Sequence, residues 1–189
     1  MQHRPLTKST ALLPELQAEL ARIRGIRAFD PADYLVRKLD RLIGYFTAHG
    51  LRAAVLGMSG GVDSAVVLGI LRAAQQRSPD IVKRLVPLAL PTHTAAQGQM
   101  AALNRVANLG KQWGISIPIC NLHSPHASMA SEIDHAISTD EPAPSEWAFG
   151  QLTSYIRTPA LYFATSLLTD RGLPAIVVGT TNRDEGSYL

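Results

Sequence analysis

One short segment constrains the fold of this chain more than any other. An apolar run at residues 53–57 leads directly into a glycine-rich string, and a second apolar stretch follows at residues 65–74. The string reads Gly-Met-Ser-Gly-Gly-Val-Asp-Ser and covers residues 57–64, hereafter the glycine loop. The first run is typical of a buried strand and the second of a helix. A strand, a glycine loop and a helix in this order predict an α/β fold.

The rest of the chain repeats this alternation. Asp30 followed by Pro31 predicts a helix start with Asp30 as the N-cap. The alternation predicts a doubly wound, mostly parallel sheet with helices on both faces, preceded by one or two N-terminal helices, in a single domain over residues 1–189. Helical spacing predicts helices at residues 11–28, 31–49, 95–113, 128–137 and 150–170. Apolar runs predict further strands at residues 85–90, 115–122 and 175–178.

Composition narrows the class of protein. The 189 residues are 46% hydrophobic and 17% charged, with a net charge of +3, which is typical of a globular chain. No dense Lys/Arg stripe indicates nucleic-acid binding, and no apolar run is long enough for a membrane span. The single cysteine, Cys120, falls in a predicted strand, and we expect it to be a small buried residue in a reducing compartment. These features predict a cytoplasmic protein with no membrane partner.

The glycine loop has the chemistry of an anion site. Glycines allow close approach to a phosphate, consecutive amides form a concave nest, and the next helix adds its free N–H groups. Ser59 and Ser64 can donate hydroxyl hydrogen bonds to phosphate oxygens. An ionised Asp63 can only accept, so beside a phosphate it needs a cation and is a candidate magnesium ligand. The loop matches neither a Walker motif nor a Rossmann fingerprint.

The string Ser-Gly-Gly-Val-Asp-Ser at residues 59–64 resembles the signature of the N-type ATP pyrophosphatases, also known as the PP-loop superfamily. These enzymes cleave ATP between its α and β phosphates, adenylate an oxygen of the substrate, and then replace AMP with a nitrogen or sulfur nucleophile. NAD synthetases, GMP synthetases, asparagine synthetases and tRNA-thiolating enzymes share the loop. The resemblance implies that ATP contacts Gly57, Met58, Ser59, Gly60, Gly61, Val62, Asp63 and Ser64.

A second segment, residues 179–185, is similar to the Gly-Thr-x-Asn-x-x-Glu stretch of NAD synthetases. This resemblance implies that Thr180 contacts ATP and that Glu185 binds magnesium. Since the segment leaves a predicted strand, it should lie at the same sheet edge as the glycine loop. Asp63 and Glu185 would then supply two carboxylates to one Mg²⁺ ion.

A third segment, residues 150–157, is similar to the helix start Gly-Asn-x-x-Ala-Arg-x-Arg of NAD synthetases. Gly150 and Arg157 match, whereas Gln151 replaces the usual Asn and Tyr155 replaces a substrate-binding Arg. The resemblance implies substrate contacts at Tyr155 and Arg157; for Arg157 the alternative is a surface helix cation. A Tyr cannot supply the charged fork of an Arg, but it can stack on a pyridine or adenine ring.

The resemblance covers residues 31–189 and implies a carbon–nitrogen ligase, an ammonia-dependent NAD synthetase with ATP as co-substrate and Mg²⁺. Nicotinic acid adenine dinucleotide would be amidated to NAD through an acyl adenylate, releasing pyrophosphate and AMP. Free ammonia or ammonia from a separate subunit would be the donor, no residue would act as a covalent nucleophile, and the protein would be a homodimer. Since family chains continue further, we expect a C-terminal section to be lacking. A PP-loop enzyme with a different substrate, and an incomplete nucleotide-binding fragment, are the alternatives.

The histidines show no metal-ligand spacing on a predicted face. His93 follows a predicted strand, and we expect it to be a polar loop residue rather than part of the nucleotide site. We expect His123, His126 and His135 to lie in turns or at the surface.

Overall fold

The computed structural model describes residues 13–27, 30–93, 97–137 and 146–181. The chain forms two compact units, Met1–Arg37 and Lys38–Leu189. Its helices are α1 (Pro14–Arg27), α2 (Pro31–Ala48), α3 (Val62–Arg77), α4 (Gln97–Trp113), α5 (His123–Ile137), α6 (Glu146–Tyr155) and α7 (Arg157–Asp170). Its strands are β1 (Ala53–Gly57), β2 (Arg84–Leu88) and β3 (Ala175–Val177). No helix in these ranges is long and apolar enough to cross a membrane.

The first unit contains α1 and the first turns of α2. Asp30 caps α2, as predicted, because its Oδ1 accepts hydrogen bonds from the backbone N–H groups of Ala32 and Asp33 at 2.8 and 3.3 Å. The Arg37 side chain pairs with Asp33 one turn along the same helix.

The second unit is built on a parallel sheet. Its order over the described residues is β2-β1-β3, and Val55 of β1 is paired with Val86 on one side and Val177 on the other. Both pairings are parallel, so the chain must cross over between the strands, and helices supply these connections. The predicted α/β architecture with a parallel sheet is therefore confirmed.

Strand β1 divides the core between the two faces of the sheet. Ala54 and Leu56 pack into a cluster with side chains of α2, α3 and α4, including Phe46 and Leu68. Val55 points to the opposite face and packs against α7. Since successive strand residues point to opposite faces, an uninterrupted apolar strand is what a doubly covered sheet requires.

The predicted strand at residues 115–122 is wrong as an element. This segment follows the extension of β2 through a single parallel bridge between Ala89 and Ile119. Ala89 N–H donates to the carbonyl of Pro118, and Cys120 N–H donates back to Ala89. Pro118 has no N–H to donate, so the pairing does not extend before this bridge. Beyond it, the two segments share one further hydrogen bond, from the Leu122 N–H to the Pro91 carbonyl at 2.8 Å. Cys120 is exposed rather than buried, which corrects a second prediction.

The predicted long helix at residues 150–170 is interrupted. Helix α6 ends at Tyr155, Ile156 forms a turn, and α7 begins at Arg157. The cause is Pro159, whose ring clashes with the carbonyl four residues earlier, that of Tyr155, in a continuous helix. The break separates Tyr155 from Arg157.

Helix α5 begins earlier than predicted, at His123 instead of residue 128. Asn121 accounts for the start, since its Oδ1 accepts a hydrogen bond from the His123 backbone N–H at 2.9 Å.

Candidate active site

The glycine loop joins β1 to α3 and presents the start of α3 without a side-chain cap. Gly60 has a φ of 76°, a conformation that favours glycine, and Gly61 stands at the N-cap in an extended conformation. No capping side chain takes up the free N–H groups of the first turn, so these groups and the positive end of the helix dipole can bind an anion.

Two serine hydroxyls organise this turn. Ser59 Oγ accepts the Gly61 N–H at 3.2 Å, and it lies 3.2 Å from Ser64 Oγ. The Ser64 hydroxyl donates to the Gly61 carbonyl at 3.1 Å and is buried, whereas Ser59 is exposed. Of these two hydroxyls, that of Ser59 is therefore accessible to a ligand, and the buried Ser64 hydroxyl holds it in place.

The back of the glycine loop rests on α4. A Cβ atom added to Gly60 would lie 2.7 Å from the backbone oxygen of Ala102. One turn further along α4, Arg105 Nε donates a 2.8 Å hydrogen bond to the Gly60 carbonyl. Sequence reasoning missed Arg105, because the contact joins residues 45 positions apart and no local pattern marks it.

A cavity of about 280 Å³ opens at the carboxyl ends of β1 and β2. Its wall includes Ser59 of the glycine loop, Pro91 after β2, Gln99 of α4, and Arg157 and Leu161 of α7. This is the edge at which parallel α/β sheets bind ligands. The cavity therefore continues from the glycine loop into a pocket with an apolar wall and a cationic side.

Arg157 is not a surface cation. It is the first residue of α7, lines the cavity, and donates from Nε to the Leu90 carbonyl at 3.1 Å. Partial burial lowers the pKa of its guanidinium. Within the described residues no carboxylate forms an ion pair with it. Its charge is therefore available to an anionic ligand in the cavity.

Two other predicted site residues, Tyr155 and Thr180, do not line this cavity. Tyr155 is 63% exposed, donates from its hydroxyl to Gln151 Oε1 at 3.0 Å, and is not part of the cavity wall. Thr180 is partly buried just beyond β3, whose pairing continues through a 2.8 Å bond from Val178 N–H to the Val55 carbonyl. It therefore follows the strand next to β1, at the edge where the glycine loop begins.

The predicted metal ligands are described only in part. Asp63 is exposed in the first turn of α3, at the end of the glycine loop. Glu185 lies outside the described residues. In the part of the chain that the structure describes, no group of three or more His, Cys, Asp or Glu side chains is placed to hold a metal ion.

A polar network lies next to the cavity, and no local sequence pattern predicts it. Gln99 Oε1 accepts from the backbone N–H groups of Thr92 and His93 at 3.1 and 3.0 Å, and its amide donates to the Thr92 hydroxyl. The Thr153 hydroxyl lies 3.4 Å from His93 Nε2 and 3.2 Å from His126 Nε2. The network fixes the segment after β2 to α4, α5 and α6.

His126 corrects the expectation of a turn or surface histidine, since it is 2% exposed. The expected exposure of His123 and His135 is confirmed, but His123 Nδ1 lies 2.9 Å from the Thr92 carbonyl and thus joins the network. Such a cluster forms only where α4, α5 and α6 pack together, and the spacing of residues along the chain does not reveal this packing.

A family model described as NAD synthase matches residues 34–188. The chain belongs to the NAD synthase family. The match confirms the resemblance inferred from the glycine loop and from the segments around Arg157 and Thr180.

Solved structures of this family share the fold. An NH3-dependent NAD synthetase from Campylobacter jejuni is similar with a TM-score of 0.66 and 21% identity, over 85% of this chain and 62% of that one. An NAD+ synthetase from Burkholderia pseudomallei has a TM-score of 0.66 and 22% identity, over 84% of this chain and 55% of that one. An NMN synthetase from Francisella tularensis has a TM-score of 0.58 and 20% identity, over 82% of this chain and 56% of that one. The chain thus spans little more than half the length of these neighbours. No curated protein sequence matches it.

The network predicts a pH dependence of stability. Partial burial, with the nearby His126, His123 and Arg157, lowers the pKa of His93 below its usual 6.5. The unfolded chain then takes up this proton more readily than the folded one, so stability falls as the pH drops below the usual value and through the lowered one. We expect the melting temperature to fall less between about pH 7.5 and pH 5.5 in His93→Gln than in the wild type.

The control for this measurement is His135→Gln, the same change at an exposed position on α5. Equal acid sensitivity of His93→Gln and the wild type would contradict the assignment.

Proposed function

We propose that this chain uses ATP to convert the carboxylate of a nicotinic acid nucleotide into the amide, with an acyl adenylate as intermediate. The observation that carries the proposal is the uncapped start of α3 behind the glycine loop, beside a cavity lined by Arg157, which forms no ion pair with any described residue. The anionic leaving group, pyrophosphate, fits at the start of α3, and the anionic acceptor fits beside Arg157. Membership of the NAD synthase family supports this reaction.

The glycine loop is assigned to the pyrophosphate of ATP. The pyridine carboxylate oxygen attacks the α phosphorus, and the bond from that phosphorus to pyrophosphate breaks. The Gly61 N–H, the Ser59 hydroxyl and the first turn of α3 donate to the departing oxygens. We assign Thr180 to the nucleotide as well, because it follows the strand beside β1.

The second step replaces AMP with ammonia. Ammonia attacks the activated carbonyl carbon, the bond to AMP breaks, and a proton is lost to solvent. No covalent protein intermediate is needed, so the contribution of the protein is orientation and charge stabilisation. The printed description of the Campylobacter jejuni neighbour, an NH3-dependent enzyme, supports ammonia as the donor.

Asp63 and Glu185 are the residues we assign to Mg²⁺. Two carboxylates with phosphate oxygens and waters form the oxygen shell that this ion prefers. When bound, the ion would offset negative charge on the phosphates. The exposed position of Asp63 at the end of the glycine loop fits this role, since a carboxylate there without a cation would repel the phosphate.

The acceptor can be a dinucleotide or a mononucleotide. Tyr155, in place of the expected Arg, lacks the cation that would bind a second phosphate or carboxylate. One similar structure is an NMN synthetase, which favours nicotinic acid mononucleotide as the second candidate beside nicotinic acid adenine dinucleotide. Arg157 contacts the anionic part of either acceptor.

We further propose that the enzyme is a cytoplasmic homodimer. A single cysteine, which cannot form an internal disulfide, suits a reducing compartment. Large apolar side chains remain exposed on α7, with Tyr162 at 61% and Phe163 at 64%, and such surfaces commonly mark contacts between subunits. We retain the single-domain assignment for residues 1–189 as a prediction.

One assay tests the proposed reaction. The full chain is supplied with ATP, Mg²⁺ and ammonium, together with either nicotinic acid adenine dinucleotide or nicotinic acid mononucleotide. We expect pyrophosphate release that requires the acceptor, together with formation of the amide. Pyrophosphate release with only a different acceptor would point to another ATP pyrophosphatase, and ATP binding without any release would contradict an enzymatic function.

Asp63→Asn tests the magnesium assignment in the same assay. We expect the turnover number to fall by about a hundredfold and to recover in part at raised Mg²⁺ concentration, because the amide is a weaker ligand than the carboxylate. Asp80→Asn, the same change at an exposed position in the turn after α3, is the matched control. An unchanged turnover number in Asp63→Asn would contradict the assignment.

A further inference from the structure

Arg105 makes a specific contact with the glycine loop that the reaction above does not use. Its Nε donates to the Gly60 carbonyl at 2.8 Å, across 45 residues of sequence. The side chain is otherwise exposed, and it also borders a recess behind Gly61 and Val62. Arg105 thus approaches the loop from α4, on the side where Gly60 lies against Ala102.

This hydrogen bond sets the orientation of one peptide unit. The peptide bond between Gly60 and Gly61 is trans, so its carbonyl oxygen and its N–H point in opposite directions. Holding the Gly60 oxygen against α4 therefore turns the Gly61 N–H away from α4. That N–H donates to the hydroxyl of the exposed Ser59 at 3.2 Å.

The alternative orientation would be unfavourable. Two glycines in succession leave this peptide free to rotate, and a flip would direct the Gly60 carbonyl oxygen toward the phosphates. A carbonyl oxygen repels an anion, whereas an N–H attracts it. The bond from Arg105 opposes the flip, because a charge-assisted hydrogen bond is stronger than one between neutral groups.

The charge of Arg105 is not shared with any carboxylate that the structure describes. Among the described residues Arg105 forms no ion pair. A cation bonded to the oxygen of a peptide polarises that peptide and strengthens its N–H as a donor. The effect reaches the Gly61 N–H, which we have assigned to the departing pyrophosphate.

We propose that Arg105 is a positioning residue for the adenylation step: it orients and polarises the Gly60–Gly61 peptide so that the Gly61 N–H binds pyrophosphate. The role rests on the proposed function of the glycine loop. Arg105 acts through the backbone and does not itself contact the acceptor, so its loss should affect ATP and pyrophosphate and leave the acceptor unaffected.

Steady-state kinetics of the full chain test this role. In Arg105→Met we expect the KM for ATP and the inhibition constant of pyrophosphate to rise together by about three- to tenfold, the range of one exposed charge-assisted hydrogen bond. The KM for the acceptor should change by less than about twofold on the same scale. Arg105→Lys keeps the charge and should recover most of the loss. Lys111→Met, an exposed cation two turns further along α4, is the matched control.

A binding measurement separates this inference from the proposed function. The full chain is labelled with ¹⁵N-glycine, and pyrophosphate is titrated into wild type, Arg105→Met and Lys111→Met. We expect the Gly61 amide proton resonance to move upfield in Arg105→Met alone, with weaker pyrophosphate binding. Should Met disturb the fold, Arg105→Gln replaces it in the same comparison.

The outcomes are distinct. If the wild-type protein binds pyrophosphate but never releases it from ATP, the proposed function is contradicted. The role of Arg105 can then still be tested by pyrophosphate binding. Unchanged pyrophosphate affinity and an unchanged Gly61 resonance in Arg105→Met would overturn the inference. An equal loss in Lys111→Met would also overturn it, since the effect would then be one of net charge.

Discussion

The absence of a side chain at Gly60 is the constraint on which the rest of the site depends. The loop passes so close to α4 that a Cβ at this position would lie 2.7 Å from the Ala102 oxygen, and the backbone φ of 76° is itself unfavourable for other residues. This contact fixes where the loop turns and therefore where α3 begins. The close approach also brings the Gly60 carbonyl within reach of Arg105, whose hydrogen bond orients the Gly61 N–H.

Helix α4 connects the two halves of the site. Ala102 and Arg105 hold the glycine loop after β1, while Gln99, one turn earlier, binds the backbone of Thr92 and His93 after β2. The cavity lies between these two strand ends, and Arg157 closes it from α7. The parallel sheet brings the strand ends together, and α4 sets the distance between the glycine loop and the opposite wall of the cavity.

Local patterns predicted the parts of the molecule that local forces determine. The boundaries of β1 and the Asp30 cap follow from apolar runs and cap chemistry, and the glycine loop follows from its residue types. Apolar patterns alone predict an unbroken strand at residues 115–122 and an unbroken helix at residues 150–170. Pro118 limits the pairing of the first, and Pro159 divides the second. The burial of His126 and the bond from Arg105 could not be read from the sequence, because both depend on helices distant in the chain packing together.

The most direct test of the account is the affinity of Gly60→Ala for ATP with Mg²⁺, measured by titration calorimetry. We predict that affinity falls by at least about tenfold while cooperative thermal unfolding persists, since the loop must move off α4 to accept the methyl group. Gly44→Ala, in α2 with open space around it, should bind as the wild type does. Wild-type affinity in Gly60→Ala would contradict the claim that this loop, held against α4, is the pyrophosphate site.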